Sequence, residues 1–246
     1  MKARFDASGD VIAITGGANG IGRALALAAS DAGARVVVCD TDKAALASLQ
    51  AQEPQIAARR LDVSDRAAVM SVFAEIAATI GPVDGLVCAA AIQPRTLIAA
   101  MDPKEWERVI GVNLNGVMWC YQAVVGSMIA RRKGAVIAFS SGLAHQGWPQ
   151  ASAYAATKAA LGAWVKSAAK EVAGHRVRVN LIAPGVIDTP QYRAANAGAD
   201  DAGWKSSLGV GQPEDTVGPL MFLLSDAATM TASVLSRDMA YARDAT

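Results

Sequence analysis

The chain has 246 residues, 52% of them hydrophobic, with 23 basic and 22 acidic side chains and a formal net charge of +1. That apolar content excludes a disordered chain and supports a large core within the size range of one α/β domain. The near-neutral charge gives no global field for nucleic acid or an anionic membrane, and no basic block exceeds Arg131, Arg132 and Lys133, which suit a helix C-terminus.

Residues 1–10 carry charges and no apolar signal-peptide core. Val11–Thr15 (VIAIT) is a short apolar run closed by Gly16 and Gly17, as in a strand buried on both faces. A helix follows over residues 21–32, stopped near Gly33, and Arg35–Asp40 (RVVVCD) is a second strand. Asp42 caps a helix running to Gln52, which Pro54 breaks. Residues 56–62 read as a third strand, Ser64 or Asp65 opens the next helix, and residues 85–89 form a fourth strand. Asp102, with Pro103 behind it, caps a long helix to about Arg132. Residues 134–140 are a fifth strand, a helix opens at Gln150 or Ser152 and runs to about Val172, and residues 176–182 are a sixth strand. The stretch 189–212 is polar and shows no clear period, residues 213–224 are helical, and residues 233–239 suit a last strand. Strands alternate with helices throughout, without repeat or linker. That predicts one α/β domain over residues 1–246: a doubly wound, mostly or wholly parallel sheet of about seven strands with helices on both faces.

The apolar stretch 112–130 contains Asn113, Asn115 and Gln122, which favours a buried helix over a membrane span. Cys39, Cys88 and Cys120 are odd in number, far apart and set among apolar residues. They read as buried thiols in a reducing compartment, not a disulfide framework or zinc site, and His145 and His175 supply no metal cluster. A soluble, cytoplasmic protein is expected, with no metal, nucleic-acid or membrane partner.

Two stretches carry chemistry. Thr15 to Gly22 (TGGANGIG) lies between the first strand and first helix, where glycines permit close backbone approach and a helix N-terminus favours a pyrophosphate. Gly16, Asn19, Gly20, Ile21 and Gly22 are the candidate contacts. Asp40, twenty residues after Gly20, ends the second strand, where a carboxylate can accept both adenosine ribose hydroxyls and repel a 2′-phosphate. That favours NAD over NADP; a helix cap or turn is the competing use, for which Asp42 is also placed. Asp62 and Val63 can reach the adenine, or simply form a turn. In the second stretch Tyr154 and Lys158 stand one helical turn apart in an alanine-rich run, on one face. A nearby ammonium lowers a tyrosine pKa, fitting the phenol for acid/base work on a hydroxyl or carbonyl. Ser141, at the end of the fifth strand, can bond the same oxygen. A packing tyrosine beside a solvated lysine is the plainer use of the pair.

Jointly, TGGANGIG, Asp40, Asp62 and Val63, VNL at 112–114, Ser140 and Ser141, YAATK at 154–158 and NLIAPGVIDT at 180–189 resemble the short-chain dehydrogenase/reductase family, over about residues 10–240. The resemblance implies a Rossmann fold and a catalytic tetrad. Asn113 would help hold a water linking Lys158 to solvent, Ser141 would orient the substrate oxygen, and Tyr154 would be the acid/base. Lys158 would bind the nicotinamide ribose and depress the Tyr154 pKa. Gly185, Ile187, Thr189 and the backbone of Ala89 would complete the coenzyme contacts. Two departures stand out: Cys88, Ala89, Ala90 and Ala91 replace Asn-Asn-Ala-Gly, and Asp238, Met239 and Ala240 replace Asp-Gly-Gly. The implied activity is an NAD-preferring short-chain dehydrogenase interconverting a secondary alcohol, such as a polyol or cyclic alcohol, and a ketone. A non-catalytic dinucleotide-binding sensor or scaffold and an NAD-using lyase or epimerase are the alternatives. By position, Gln93, Leu143, His145, Gln146, Trp148, Tyr192 and Trp204 are candidate pocket residues, under a lid at 189–212. A homotetramer or homodimer is expected, for which the small face at Ala155, Ala159 and Ala163 of the Tyr154 helix permits close packing; the chain's own sheet is the other surface that face can meet.

Overall fold

In the first strand, β1 (Val11–Thr15), Val11 and Ala13 belong to one buried cluster, and Ile12 and Ile14 to another. Side chains alternate across a strand, so a run that is apolar at every position needs cover on both faces. The other strands are β2 (Arg35–Asp40), β3 (Ala57–Arg60), β4 (Gly85–Cys88), β5 (Gly134–Phe139), β6 (Val177–Ala183) and β7 (Val234–Ser236). They form one wholly parallel sheet in the order β3-β2-β1-β4-β5-β6-β7. A computed structural model of the protein describes residues 4–198 and 209–237.

One face is covered by α3 (Arg66–Thr79), α5 (Gly116–Arg131) and α7 (Ser152–Val172), whose Phe73, Met128 and Leu161 enter the first cluster. The opposite face is covered by α1 (Gly20–Asp31), α2 (Lys43–Gln52) and α9 (Val217–Leu224), through Leu25, Leu49 and Leu220. The shorter helices α4 (Pro103–Ile110), α6 (Leu143–Gln146) and α8 (Pro190–Ala195) complete the chain. Tyr121 of α5 and Trp164 of α7 meet edge to face at 5.2 Å.

Four elements differ from the sequence expectation. The third strand is shorter because the Asp62 carboxylate accepts from the Ser64 N–H (3.0 Å) and hydroxyl (2.7 Å), turning the chain. The long helix after Asp102 is continuous to Arg131 but carries a π-helical turn at Gly111–Asn115. Residues 213–224 start as a 3₁₀ turn, Pro213–Thr216, in which Gln212 and Asp215 bond reciprocally, and become α-helical at Val217. The stretch 189–212 contains α8, capped by the Thr189 hydroxyl accepting from the Tyr192 N–H (3.1 Å). Met239 of the expected last strand, the Asp238 to Ala240 departure and Trp204 lie outside the described residues.

Helix Pro103–Arg131 is long and apolar enough to cross a membrane, and its Val109, Val117, Cys120 and Met128 are packed into the core. Cys39, Cys88 and Cys120 are buried and free; burial pushes the thiols of Cys39 and Cys88 up to about 12. Two members of the basic cluster at the end of α5 are paired. Arg131 meets Asp84 at 2.5 Å, and Lys133 bridges Asp84 (3.5 Å) and Asp10 (2.6 Å). Asp84 also accepts from the Val11 N–H (3.0 Å), tying β1 to β4 at the sheet's lower edge. Burial raises the Asp84 pKa, but Arg131, the Val11 N–H and Lys133 outweigh it and hold the carboxyl below its usual value. A folded-state pKa below the unfolded one contributes stability above the unfolded value, and that contribution is lost as pH falls through the folded value. Unfolding measured below about pH 4 should therefore show an acid-dependent loss that Asp84→Asn lacks in part.

Candidate active site

The upper ends of β1, β2 and β4 form the cleft where strand order reverses, the usual ligand position in such sheets. Gly16, at φ +67°, leads into it so tightly that a Cβ there would stand 2.5 Å from the Ala90 nitrogen. Gly20, at φ +52°, faces Thr189, whose Cγ2 would stand 2.9 Å from an added Cβ. A Cβ on Gly22 would collide with the Gly16 carbonyl, so this glycine lets α1 pack onto its own loop. The start of α1 receives no side-chain cap: Asn19 instead donates to Asp42 at 3.3 Å. Its first-turn N–H groups, including that of Ile21, thus remain for an anion. Asp40 accepts from the Ala18 N–H and from the Asp42 N–H, each at 3.1 Å, which fixes its carboxylate beside the loop. Asp42 is the cap of α2, so Asp40 is not needed for that task. These residues fit a dinucleotide: an uncapped helix start for the phosphates and a held carboxylate for a ribose.

At the other end of the cleft, Gly185 takes φ +74°, and a Cβ on it would strike the Arg237 carbonyl. Ile187 is buried and bridges to Gly211, placing Thr189 over the glycine loop. Asp62 and Val63 follow the end of β3. The Asp62 carboxylate is bound by Ser64 and by Arg108 at 2.8 Å, and the Val63 side chain is buried against Gly116.

The exit of β4 is held by backbone and by Asn113. Ala89 donates its N–H to the Thr15 carbonyl (3.0 Å). Fully buried Asn113, in the π-turn, accepts from the Ile92 N–H and donates to the Ile92 carbonyl, each at 2.9 Å. Its amide also donates to the Thr157 hydroxyl (3.3 Å), which in turn donates to the Tyr154 carbonyl (2.7 Å). The Asn113 amide is thereby a positioning group linking the β4 exit to α7.

Ser141 follows β5, and Tyr154 and Lys158 occupy the first two turns of α7. The three converge as their spacing predicts, but the electrostatics differ. Lys158 is buried, donates to the Phe139 carbonyl at 2.9 Å, and stands 5.5 Å from the Tyr154 ring centroid, over its face. Burial pulls its pKa down to about 8. Tyr154 is raised, not depressed, in the protein alone. Surrounding protein drives it up, although the ring keeps some exposure, while the Ser141 hydroxyl and the Arg95 charge pull it back. The Lys158 ammonium itself is held at the Phe139 carbonyl.

A cavity of about 840 Å³ is not lined by this trio, but one of its lining residues, Arg95, exerts its charge on Tyr154. Of the candidate pocket residues, Gln93 and Trp148 line it. Leu143, His145 and Gln146 do not, and His145 is exposed; Tyr192 stands in α8, whose Gln191 and Ala195 do the lining. Arg95, Glu105 and Gln150 are additional lining residues. Nothing in the period or spacing around Arg95 singles it out in the sequence.

A family model described as short chain dehydrogenase matches residues 10–200. A 3-oxoacyl-(acyl-carrier-protein) reductase of Thermotoga maritima is 35% identical over 94% of this chain and 96% of its own. An NAD(+)-named 2-dehydro-3-deoxy-L-rhamnonate dehydrogenase of Sphingomonas sp. is 33% identical over 89% of this chain and 90% of its own. A solved structure from Beutenbergia cavernae, assigned as an NAD(P)-dependent gluconate 5-dehydrogenase with NADP bound at low occupancy, has a TM-score of 0.86 at 32% identity, covering 96% and 98% of the two chains. Strand order, glycine turn, Ser-Tyr-Lys convergence and whole-length likeness agree, and the chain belongs to the short-chain dehydrogenase/reductase family of oxidoreductases.

Proposed function

We propose that the protein is an NAD-preferring dehydrogenase that interconverts a secondary alcohol, of the polyol or cyclic type, and its ketone, with Tyr154 as acid/base. The convergence of Ser141, Tyr154 and Lys158 at the upper end of β5 carries this reading. Gly16, Asn19, Gly20, Ile21, Asp40, Gly185, Ile187 and Thr189 would hold the coenzyme, which when bound would supply the hydride acceptor or donor and, oxidised, a positive charge. The chain does the rest. Ser141 orients the substrate oxygen. The Tyr154 phenol, protonated at neutral pH, gives its proton to a carbonyl oxygen or, as phenolate, takes one from a hydroxyl. Lys158, set near 8 by burial, supports that charge and can exchange a proton near neutrality. The relatives named for sugar-acid and keto-thioester chemistry support a carbinol-carbon reaction.

Asp40 supports NAD: a fixed carboxylate beside Asn19 and Asp42 repels a 2′-phosphate. The protein works as a single soluble, cytoplasmic domain. Ala159 and Ala163 are exposed on α7, away from the sheet, which supports packing against a second copy and a homotetramer or homodimer. The test is a screen of secondary alcohols with NAD⁺ and NADP⁺, read as absorbance of the reduced coenzyme. Wild type should prefer NAD⁺, and Asp40→Ser should move the preference toward NADP⁺ by roughly ten- to a hundredfold. Preference of wild type for NADP⁺ overturns the coenzyme reading. Coenzyme binding without net reduction by any alcohol points instead to a sensor, lyase or epimerase.

A further inference from the structure

Arg95 follows β4 and crosses to α8. Its Nε donates to the Ala195 carbonyl (3.1 Å) and its Nη2 to the Asn196 side-chain oxygen (3.0 Å). A guanidinium has five N–H donors in one plane. Two are used here; Nη1 is buried with no partner, leaving the Nη1/Nη2 end of the fork unmet. No carboxylate pairs with Arg95 among the described residues. A cation half-removed from water and short of an acceptor is costly to keep unless something anionic meets it. Arg95 lines the 840 Å³ cavity, and its charge reaches Tyr154. The same cavity holds a second unmet group: Glu105 Oε1 is also buried without a partner. Arg108, the other cavity cation, is occupied by Asp62 and Ser64.

We propose that Arg95 anchors a substrate carboxylate, so that the preferred substrates are hydroxy acids and the matching keto acids. This rests on the dehydrogenase reading above and names its substrate class. A carboxylate offers two in-plane oxygens that match the free end of the fork. Glu105 then accepts from a further hydroxyl, and Gln93, Gln150 and Gln191 supply neutral donors and acceptors between them. A dianionic phosphate is disfavoured by Glu105 in the same cavity, and a neutral polyol leaves the guanidinium unmet.

The experiment compares hydroxy acids with their own primary amides, with NAD⁺ as oxidant: gluconate against gluconamide, and 4-hydroxycyclohexanecarboxylate against its amide. Wild type should favour the acid in kcat/KM by roughly ten- to a hundredfold. Arg95→Gln should bring that ratio close to one, mainly through KM for the acid, and Arg95→Lys should restore part of it. Loss of the tether to α8 alone would slow acid and amide alike and leave the ratio standing, which overturns the anchor. Equal use of acid and amide by wild type overturns it too, with the dehydrogenase reading intact. If neither acids nor amides nor neutral alcohols are oxidised, the dehydrogenase reading itself fails.

Discussion

Tyr154→Phe should lower turnover by roughly a hundred- to ten-thousandfold while NADH binding stays close to wild type. The substitution removes one oxygen from a ring that stacks under the Lys158 amine, and α7 keeps its other contacts. Phenylalanine leaves the Ser141 hydroxyl without its phenol partner but buries no new charge, so the fold should tolerate it. Steady-state rates in both directions, with NADH fluorescence titration alongside, measure the two quantities separately. Wild-type rates in the variant would remove Tyr154 from the chemistry. The phenol's raised pKa adds a direction test. Ketone reduction needs the protonated phenol and should hold across neutral pH, whereas alcohol oxidation needs the phenolate and should climb as pH rises.

The sheet could be read from the chain because both its faces are covered. VIAIT, GLVC, GAVIAF and the middle of RVVVCD are apolar without alternation, the pattern of strands buried on two sides. Edge strand β7 pairs with β6 alone, has half-exposed side chains and gives a weaker signal. The π-turn at Gly111–Asn115 had no signal at all. Its residues suit an ordinary α-helix, and what singles it out is tertiary: Asn113 clasping Ile92 across the β4 exit.

The candidate site was legible in which residues converge and illegible in how they are charged. Helical spacing puts Tyr154 and Lys158 on one face, but it cannot say where a flexible four-carbon stem sends its ammonium. The Phe139 carbonyl takes it. Arg95 sits in a loop with no period, where one cation looks like a solvated charge. Only folding brings it under α8 and short of a partner.

Lys158→Met should separate stability from activity, because its two effects have opposite signs. The amine is buried, and its pKa falls from 10.5 to about 8, a penalty on the charged form of about 3 kcal/mol. Methionine fills similar space without that penalty but leaves the Phe139 carbonyl unmet, at a cost of about 1–3 kcal/mol. At pH 7 the variant should therefore be about as stable as wild type. Below about pH 8 the lysine is protonated in both folded and unfolded protein, and the burial penalty is present in full. Between about 8 and the unfolded value near 10.5, the unfolded state binds more protons, so wild type should gain stability relative to the variant as pH rises. Turnover should nonetheless fall by roughly a hundred- to a thousandfold, the usual cost of deleting one oriented charge at a reacting centre. Denaturant unfolding at pH 7 and pH 9.5, paired with initial rates, reads both. A variant that unfolds readily at pH 7 would make Lys158 a structural group first, and one that keeps wild-type rates would leave the lysine out of the reaction.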